Sequence, residues 1–408
     1  MSKLDKLIKE LCPDGVEYKE LGEVADFKNG FAFKSNLFKE EGLPVVRIGN
    51  INGKSIDLTD VKYFDLIDYN KESLLNYEVN KEDILIAMSG ATTGKIGIYK
   101  YDHTSYLNQR VGKFVPNELI IANKYLYHFL LSKVDEIYIL SGGGAQPNLS
   151  SNILMKKLQI PLPPLAVQEE IVRILDTFTE LTTELTTELT MRKQQYEYYR
   201  NKLLTFGDEV EWKALGEVTF PTKNIRWKET NKKYKYIDLS SVSRENNSIL
   251  EGIEISSKNA PSRAQKLVEK NDVLFATTRP TQQRFCLIDD KYSGAVASTG
   301  YCILRANIEI ILPKWIFYWL STVNFKNYVE ENQSGTAYPA ISDGKVKDFE
   351  IPIPSLKEQE RIVAILDKFD TLTNSISEGL PYEIELRKKQ YEYYRDKLLT
   401  FKKLEKID

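Results

Sequence analysis

The chain has 408 residues, 42% of them hydrophobic and 28% charged, and its formal net charge is −2. This composition is typical of a folded protein of two or three domains and excludes a chain that is disordered throughout. Three cysteines and two histidines stand at unrelated spacings, so the sequence predicts neither a disulfide framework nor a metal site.

The N-terminal stretch MSKLDKLIKELCPDG lacks the apolar core of a signal peptide, and no run approaches the roughly 18 apolar residues of a membrane span. We therefore expect a cytoplasmic protein with no membrane association. The sequence has no dinucleotide fingerprint, no metal-ligand spacing and no set of residues for nucleophilic catalysis. An enzymatic function and a bound cofactor are accordingly not expected.

Positive charge is concentrated outside the helical repeats described below. Residues 25–157 carry 16 basic and 15 acidic residues, and residues 221–348 carry 19 and 14, which gives net charges of +1 and +5. Any polyanion would therefore be bound by local patches on these two segments.

Four short motifs of the first half recur in the second half. The pairs are 16–24 with 210–218, 79–87 with 268–276, 124–132 with 314–322, and 145–150 with 337–342. The second pair predicts a loop that leads into a buried strand, and the third pair predicts an aromatic helix. Each half is therefore predicted to be one mixed α/β globule followed by one long helix.

Residues 89–95 (SGATTGK) are similar to a phosphate-binding P-loop, but three residues separate the glycines where four are needed. Ile96 also replaces the Ser or Thr that would hold magnesium. We predict a glycine hairpin between strands at 84–88 and 96–99. The alternative is a contact of backbone amides and a lysine with DNA phosphate.

A long helix is predicted after the proline-punctuated segment at 158–164. Apolar residues from Val167 to Leu203 keep helical spacings, which predicts one apolar stripe along about 38 residues. Three tandem TELT tetrads lie between 179 and 190. They are either spacer units of ~6 Å each or a simple helical repeat. A helix this long with one stripe needs a partner, and its sequence twin is the obvious one.

That twin lies at 349–401, and its residues 387–401 differ from 192–206 at only two positions. Gly379 and Pro381 interrupt it in a stretch four residues longer than its counterpart, so we predict that the last helix breaks and restarts there. The predicted fold class is α+β. It has two mixed α/β globules separated by two long antiparallel coiled-coil helices, with an internal pseudo-two-fold duplication.

The motif YEYYR occurs near the end of both long helices. Coiled-coil packing explains Tyr196 and Tyr199, but identical residues off the apolar stripe exceed what packing requires. They indicate a protein partner that is bound twice. These residues are Glu197, Tyr198, Arg200 and Lys202 in the first copy, and Glu392, Tyr393, Arg395 and Lys397 in the second.

The loops of the two globules have little in common, which suits two different targets. Reading base edges needs polar and basic side chains on loops, with aromatic residues nearby. The first globule offers Lys34, Arg47, Asn50, Thr92, Thr93, Lys95, Gln109, Arg110, Gln146 and Asn148. The second offers Lys223, Arg226, Arg244, Arg263, Thr277, Thr278, Arg279, Gln282, Arg284 and Tyr338. Solvated surface is the alternative for each residue alone.

Three functions stay open on these residues alone. The chain could read DNA, it could use its long helices as a scaffold between two proteins without touching DNA, or it could modify DNA itself. Salt-dependent DNA binding would separate the first two. Activity of the purified chain would indicate the third.

The order of globule, helix, globule and helix resembles the specificity subunit of Type I restriction-modification enzymes. The motifs that carry the resemblance are EYKELGEV at 17–24, IPLPPLAVQEEIV at 160–172, the TELT tetrads, and RKxQYEYYR in both copies. The resemblance covers essentially the whole chain.

The resemblance implies a non-catalytic subunit that binds double-stranded DNA. Two target-recognition domains, at 1–157 and 207–348, would each read one half of an asymmetric, interrupted site. The central repeat region at 158–206 and the C-terminal repeat region at 349–408 would bind two modification subunits, which carry S-adenosylmethionine and methylate adenine. Restriction subunits would add ATP-driven translocation and cleavage.

Overall fold

A computed structural model describes residues 2–69, 74–144, 147–375 and 377–405. The chain divides into two compact units. Unit 1 contains residues 1–183 and 386–408, and unit 2 contains residues 184–385. The two long helical regions therefore each contribute residues to both units.

The described part of unit 1 has five α-helices and ten strands before the long helix. The helices are α1 (Lys3–Leu11), α2 (Leu21–Val24), α3 (Asn123–Ser132), α4 (Val134–Leu140) and α5 (Ser151–Lys157). The strands are β1 (Glu17–Glu20), β2 (Ala25–Asn29), β3 (Leu43–Val46), β4 (Lys62–Phe64), β5 (Glu78–Val79), β6 (Ile84–Ala87), β7 (Ile96–Ile98), β8 (Ser105–Leu107), β9 (Val111–Pro116) and β10 (Gln159–Leu162). The long helix α6 (Leu165–Leu203) follows.

Unit 2 repeats this order. Its strands are β11 (Trp212–Ala214), β12 (Thr219–Phe220), β13 (Tyr234–Ile237), β14 (Ile253–Ile255), β15 (Ala264–Leu267), β16 (Val273–Ala276), β17 (Phe285–Leu287), β18 (Val296–Ser298), β19 (Tyr301–Ala306) and β20 (Glu350–Pro352). Its helices are α7 (Pro313–Leu320), α8 (Val323–Asn332), α9 (Asp343–Lys347) and α10 (Leu356–Asn374), and α11 (Gly379–Leu398) completes the chain.

The sheets of the two units are equivalent strand by strand. Unit 1 has the orders β2-β9-β6-β7, β4-β3-β8-β5 and β1-β10, and unit 2 has β12-β19-β16-β17, β14-β13-β18-β15 and β11-β20. The pairs β3-β8 and β13-β18 are parallel, and every other pair is antiparallel. The duplication predicted from short motifs therefore extends to the whole topology.

In unit 1 the core lies between the sheet β2-β9-β6-β7 and the helices that follow it in the chain. In unit 2 it lies between the sheet β12-β19-β16-β17 and the equivalent helices. Strands β6 (ILIA) and β16 (VLFA) are buried at every position, as expected for apolar strands covered on both faces. Aromatic helices α3 and α7 pack against them, with Phe129 and Trp315 at 1% exposure or less. Ser150 and Ser342 accept hydrogen bonds from the first turns of α5 and α9, which fixes where both helices begin.

A buried glutamine attaches each long helix to its globule. In unit 1 the Oε1 of Gln168 accepts from the amide of Ala122 at 2.9 Å, and its Nε2 donates to the carbonyl oxygens of Ile120 and Pro163. In unit 2 the Oε1 of Gln359 accepts from the amide of Leu312 at 2.9 Å. Its Nε2 donates to the two equivalent carbonyl oxygens. Both side chains are fully buried, so these bonds hold the start of each helix in place.

An aspartate on each helix makes a second attachment. Asp176 binds the Nε2 of His128 and the Nζ of Lys124 at 3.0 and 2.9 Å. Asp367 accepts from the hydroxyl of Tyr318 and from the Nζ of Lys314. A histidine and a tyrosine therefore make the same contact at equivalent positions of α3 and α7.

The long helices pack against each other within each unit. The rings of Phe178 and Tyr394 stack at 5.4 Å in unit 1. In unit 2 Tyr199 stacks on Phe369 at 5.7 Å, whereas Lys193 lines the same cavity as Asn374. Residue numbers rise along one helix as they fall along the other, so this pair is antiparallel, as predicted.

The predicted helix boundaries are also confirmed. Helix α6 has 39 residues, close to the predicted length. The last helical region is broken between Asn374 and Gly379, and Pro381 lies in the first turn of α11. Gly379 has a φ of 73°, which a glycine adopts without strain.

Candidate nucleic-acid interface

Four loops of unit 1 are joined by hydrogen bonds at one end of its sheets. They are 47–50, 89–95, 108–110 and 147–149. Thr92 Oγ1 donates to the carbonyl oxygen of Ile48, and Thr93 Oγ1 donates to that of Pro147. The amide of Met88 donates to the carbonyl oxygen of Arg110. We call this group loop cluster 1. Residues 89–95 form the predicted hairpin, because β6 and β7 pair antiparallel on either side of them.

Loop cluster 1 contains most of the candidate DNA-binding residues of unit 1. Lys34 lies outside the cluster, and its amide donates to the hydroxyl of Tyr69. Gln146 lies outside the described residues. The exposed candidates are Lys34, Arg47, Gln109, Arg110 and Asn148, the half-buried ones are Thr92 and Lys95, and the buried ones are Asn50 and Thr93. Asn50 Nδ2 donates to the carbonyl oxygens of Asp57 and Asp60, so this amide holds its own loop in shape.

Unit 2 gathers the equivalent four loops, at 238–242, 277–284, 299–300 and 338–341. The amide of Arg279 donates to the carbonyl oxygen of Pro339 at 2.7 Å. Thr277 Oγ1 donates to the carbonyl oxygen of Gly300 at 3.0 Å. Arg284 Nη1 donates to the carbonyl oxygen of Leu239. We call this group loop cluster 2.

The candidates of unit 2 differ in how freely they face solvent. Lys223, Arg226, Arg244, Arg263, Arg279 and Tyr338 are exposed, Thr278, Gln282 and Arg284 are half-buried, and Thr277 is buried. Arg244 follows residues 238–242 of loop cluster 2 in the chain, and the segment of Lys223 and Arg226 is bonded to β15 through Ile225 and Leu267. The carbonyl oxygen of Arg263 accepts from the amide of Thr299, which joins its segment to the cluster.

The backbones of residues 89–95 and 278–284 match at two unusual positions. Gly90 and Gly94 have φ values of 81° and 83°, and Arg279 and Gln283, at the same places in the repeat, both have a φ of 51°. A left-handed conformation costs a residue with a Cβ roughly 1–2 kcal/mol, and glycine adopts it freely. Unit 2 therefore places an arginine and a glutamine where unit 1 has glycine, the residue that this left-handed conformation favours.

The candidate partner-binding residues form the same surface in both units. Tyr198 and Tyr393 are each 61% exposed. Each ring meets the next tyrosine edge-on, with centroids 5.3 Å apart. The ammonium groups of Lys202 and Lys397 lie 5.9 and 5.8 Å from the two exposed rings. Glu197 and Glu392 are exposed as well.

The two arginines of this motif are less exposed. The guanidinium groups of Arg200 and Arg395 lie 5.5 and 5.7 Å from the rings of Tyr196 and Tyr391. Arg200 and Glu197 also line a cavity of about 230 Å³ with residues 245–247 of their own globule. These two side chains therefore also face the globule of unit 2.

Three further observations concern metal binding, thiol chemistry and membranes. Among the described residues, no group of His, Cys, Asp and Glu side chains is arranged to hold a metal ion. Burial raises the pKa of the Cys302 thiol to about 12, so this thiol stays protonated and is a poor nucleophile at neutral pH. Within the described ranges no helix is long and apolar enough to cross a membrane.

Comparison with known proteins places this architecture in a family. A model of the Type I restriction modification DNA specificity domain matches residues 13–192 and again residues 208–386. The specificity subunit of the Escherichia coli Type I restriction enzyme EcoR124I/EcoR124II is 34% identical over 100% of both chains. A putative specificity subunit from Haemophilus influenzae is 31% identical over 95% of this chain and 96% of its own length.

A solved structure shares the fold. The S subunit of a Type I restriction-modification system from M. genitalium covers 94% of this chain and 95% of its own length, with a TM-score of 0.53 at 16% identity. The two domain matches and the full-length relatives together show that this chain belongs to the Type I restriction-modification specificity subunit family.

Sequence reasoning missed two features of the loop clusters. It did not recognise that residues 89–95 and 278–284 share a backbone, because the glycines that mark the first have no counterpart in the second. It also grouped Arg284 with Arg279, although Arg284 bonds the carbonyl oxygen of Leu239 inside the cluster. The sequence pairs the two loops as equivalents, and the flanking strands are the signal that they also share a backbone.

Proposed function

We propose that this chain selects the DNA site of a Type I restriction-modification complex, and that each unit reads one half of an asymmetric, interrupted sequence. The observation that supports the proposal is the pair of loop clusters. They have equivalent backbones but carry different side chains at equivalent positions. Equivalent loop backbones suit binding to the two halves of one duplex. Different side chains on them suit two different half-site sequences.

In each unit we assign base and phosphate contacts to the exposed candidates in and near its loop cluster. In unit 1 these are Lys34, Arg47, Gln109, Arg110 and Asn148, and in unit 2 Lys223, Arg226, Arg244, Arg263, Arg279 and Tyr338. Buried members such as Thr93 and Thr277 support the loops through their hydrogen bonds to carbonyl oxygens. Positively charged side chains on loops provide both phosphate neutralisation and base-edge contacts.

The repeated surface around Tyr198 and Tyr393 is our proposed binding site for two modification subunits, one on each copy. Exposed tyrosines are among the residues that anchor protein interfaces, and the lysines and glutamates beside them suit the polar rim of such an interface. A surface with nearly identical residues in both copies fits one kind of partner bound twice. Adenine methylation and ATP-dependent cleavage then belong to the modification and restriction subunits, and the chain itself contributes recognition.

The domain boundaries proposed from the sequence give the helices a role of their own. Residues 1–157 and 207–348 would read DNA, and 158–206 and 349–408 would bind partners and set the length of the unread spacer. Each TELT tetrad adds ~6 Å to an α-helix. That length corresponds to roughly two base-pair steps of 3.4 Å along a parallel duplex.

Deletion of one tetrad tests this function directly. A chain that lacks residues 183–186 is produced with its modification subunits, and methylated adenines are mapped across the genome. We expect both half-sites to keep their sequences and the spacer to shorten by one or two base pairs. A matched control replaces Thr183 and Thr186 with alanine, which keeps the helix length and should leave the spacer unchanged.

Changed half-site letters with an unchanged spacer would contradict this role of the helices. A wild-type complex whose DNA binding does not weaken with salt would contradict DNA reading altogether and would favour a scaffold.

A further inference from the structure

We propose that Arg279 reads a guanine in the half-site of unit 2, and that the backbone of loop cluster 2 holds it in a left-handed conformation for this purpose. The inference rests on the proposed function, because it requires unit 2 to bind DNA. It goes further by naming one side chain, one base and the reason for the strained backbone.

The backbone conformation of Arg279 needs an explanation. Its φ is 51° and its ψ is 54°, and Gly90 at the equivalent place in unit 1 also has a positive φ, of 81°, which a glycine adopts without strain. Residues with a Cβ persist in such conformations when the surroundings enforce them, and they are common at binding sites. The hydrogen bond from the Arg279 amide to the carbonyl oxygen of Pro339 holds this conformation here, although a following proline favours an extended backbone. A glycine would fit this backbone, so the presence of an arginine indicates a use for its side chain.

The guanidinium of Arg279 is held in place without being neutralised. It lies 5.4 Å from the centroid of the Tyr338 ring, and Tyr338 is 73% exposed. Arg226 pairs with Glu229 and Arg305 pairs with Asp272. By contrast, none of the ion pairs found among the described residues of unit 2 involves Arg279. Stacking on an aromatic ring orients a planar guanidinium while its N–H groups stay available.

Arg284 shows the opposite arrangement in the same loop. Its Nη1 donates to the carbonyl oxygen of Leu239, and its Nε is buried. This arginine is therefore committed to holding residues 277–284 against residues 238–242. In unit 1 Thr92 makes the equivalent bond to the carbonyl oxygen of Ile48. By contrast, no hydrogen bond or ion pair found among the described residues uses the guanidinium N–H groups of Arg279, which leaves them available to a ligand.

The chemistry of the fork selects the base. An arginine at the major-groove edge donates two parallel hydrogen bonds to O6 and N7 of guanine, and no other base presents two acceptors there. A guanidinium already oriented by Tyr338 loses little conformational freedom when it binds. Loss of such a bidentate contact lowers discrimination at that position by roughly tenfold to a hundredfold.

Arg279→Gly separates this role from a structural one. Glycine relieves the left-handed backbone, so the variant should unfold at the same or a higher temperature than the wild type. Gln283→Gly relieves the same strain four residues later and is the matched control. Methylation is mapped with the modification subunits present. At one guanine position of the half-site, Arg279→Gly should accept other bases, and its preference for guanine should fall roughly tenfold or more below that of the wild type. Gln283→Gly should keep the wild-type sequence.

Two further variants test the geometry. Arg279→Lys keeps the charge but loses the fork, so it should retain only part of the guanine preference. Tyr338→Ala removes the ring beside the guanidinium of Arg279 and should relax the same position that Arg279→Gly relaxes. Lys270→Ala removes a positive charge from another part of unit 2 and should leave the sequence unaltered.

An Arg279→Gly complex that still requires every wild-type base would overturn the inference. Uniform weakening on all DNA sequences would overturn it as well, because it would make Arg279 a phosphate contact. In both cases the wild type would still methylate an interrupted site, so the proposed function would stand. A wild-type complex that methylates no interrupted site would instead refute the proposed function.

Discussion

Units 1 and 2 have the same strands in the same order, yet they differ most where their loops meet. The loop at 89–95 uses Gly90 and Gly94 in left-handed conformations, and the loop at 278–284 uses Arg279 and Gln283 in the same conformations. At Arg279 the backbone therefore sets where the side chain is displayed, and the residue placed there sets what it can bind. In this way one loop backbone can present different side chains to two different half-sites.

The attachments between globule and helix show the reverse relation. Tyr125 donates its hydroxyl to the carbonyl oxygen of Pro161, and Trp315 donates its Nε1 to that of Pro352, each at 3.0 Å. His128 and Tyr318 bind equivalent aspartates. Here the residues differ but the contact is the same. The contacts between globule and helix must keep their geometry, whereas the loops that contact DNA must be able to differ in their contacts.

The largest expected effect comes from the buried glutamines Gln168 and Gln359. It tests whether the two units attach their long helices to their globules with equal strength. Replacing Gln359 with leucine leaves one buried amide and two carbonyl oxygens without their partners. We expect the free energy of unfolding to fall by about 3 kcal/mol, measured by urea denaturation. Gln168→Leu is the matched change in unit 1 and should cost about the same. If one variant lost several kcal/mol of unfolding free energy and the other lost none, the two attachments would not be equivalent.

A smaller effect is expected where the units differ. Glu170 accepts from Arg173 and from Lys3 of α1, and these bonds lower its pKa to about 2. Its counterpart in unit 2 is Arg361, which pairs with Glu358 on a more exposed surface. We expect Glu170→Gln to cost about 1 kcal/mol at pH 7, and Arg361→Gln to cost less because its ion pair is exposed to solvent.

The pH dependence of the Glu170 effect follows from the direction of the shift. A lowered pKa in the folded state means that the contribution is complete above the ordinary value of 4.5 and is lost as the pH falls toward 2. Urea denaturation between pH 7 and pH 3.5 should therefore show wild type and Glu170→Gln converging below pH 4.5. A difference that stays constant over this range would assign the effect to packing instead of charge.

Much of the fold could be predicted because it depends on patterns that are local and repeated. The apolar stripe predicted α6 nearly to its full length, and Gly379 with Pro381 predicted the break before α11. The site was harder to predict because loop residues of one type serve different purposes. Arg279 and Arg284 lie five positions apart, and only the path of residues 238–242 decides that the second is bonded internally.

The most direct test of the account exchanges the reading part of one unit for the other. Residues 25–157 are placed where 219–348 stand, with both long helical regions unchanged, and methylated adenines are mapped in cells that contain the modification subunits. We predict a site made of two inverted copies of the unit 1 half-site with an unchanged spacer. An asymmetric site identical to that of the wild type would contradict the claim that each unit reads its own half.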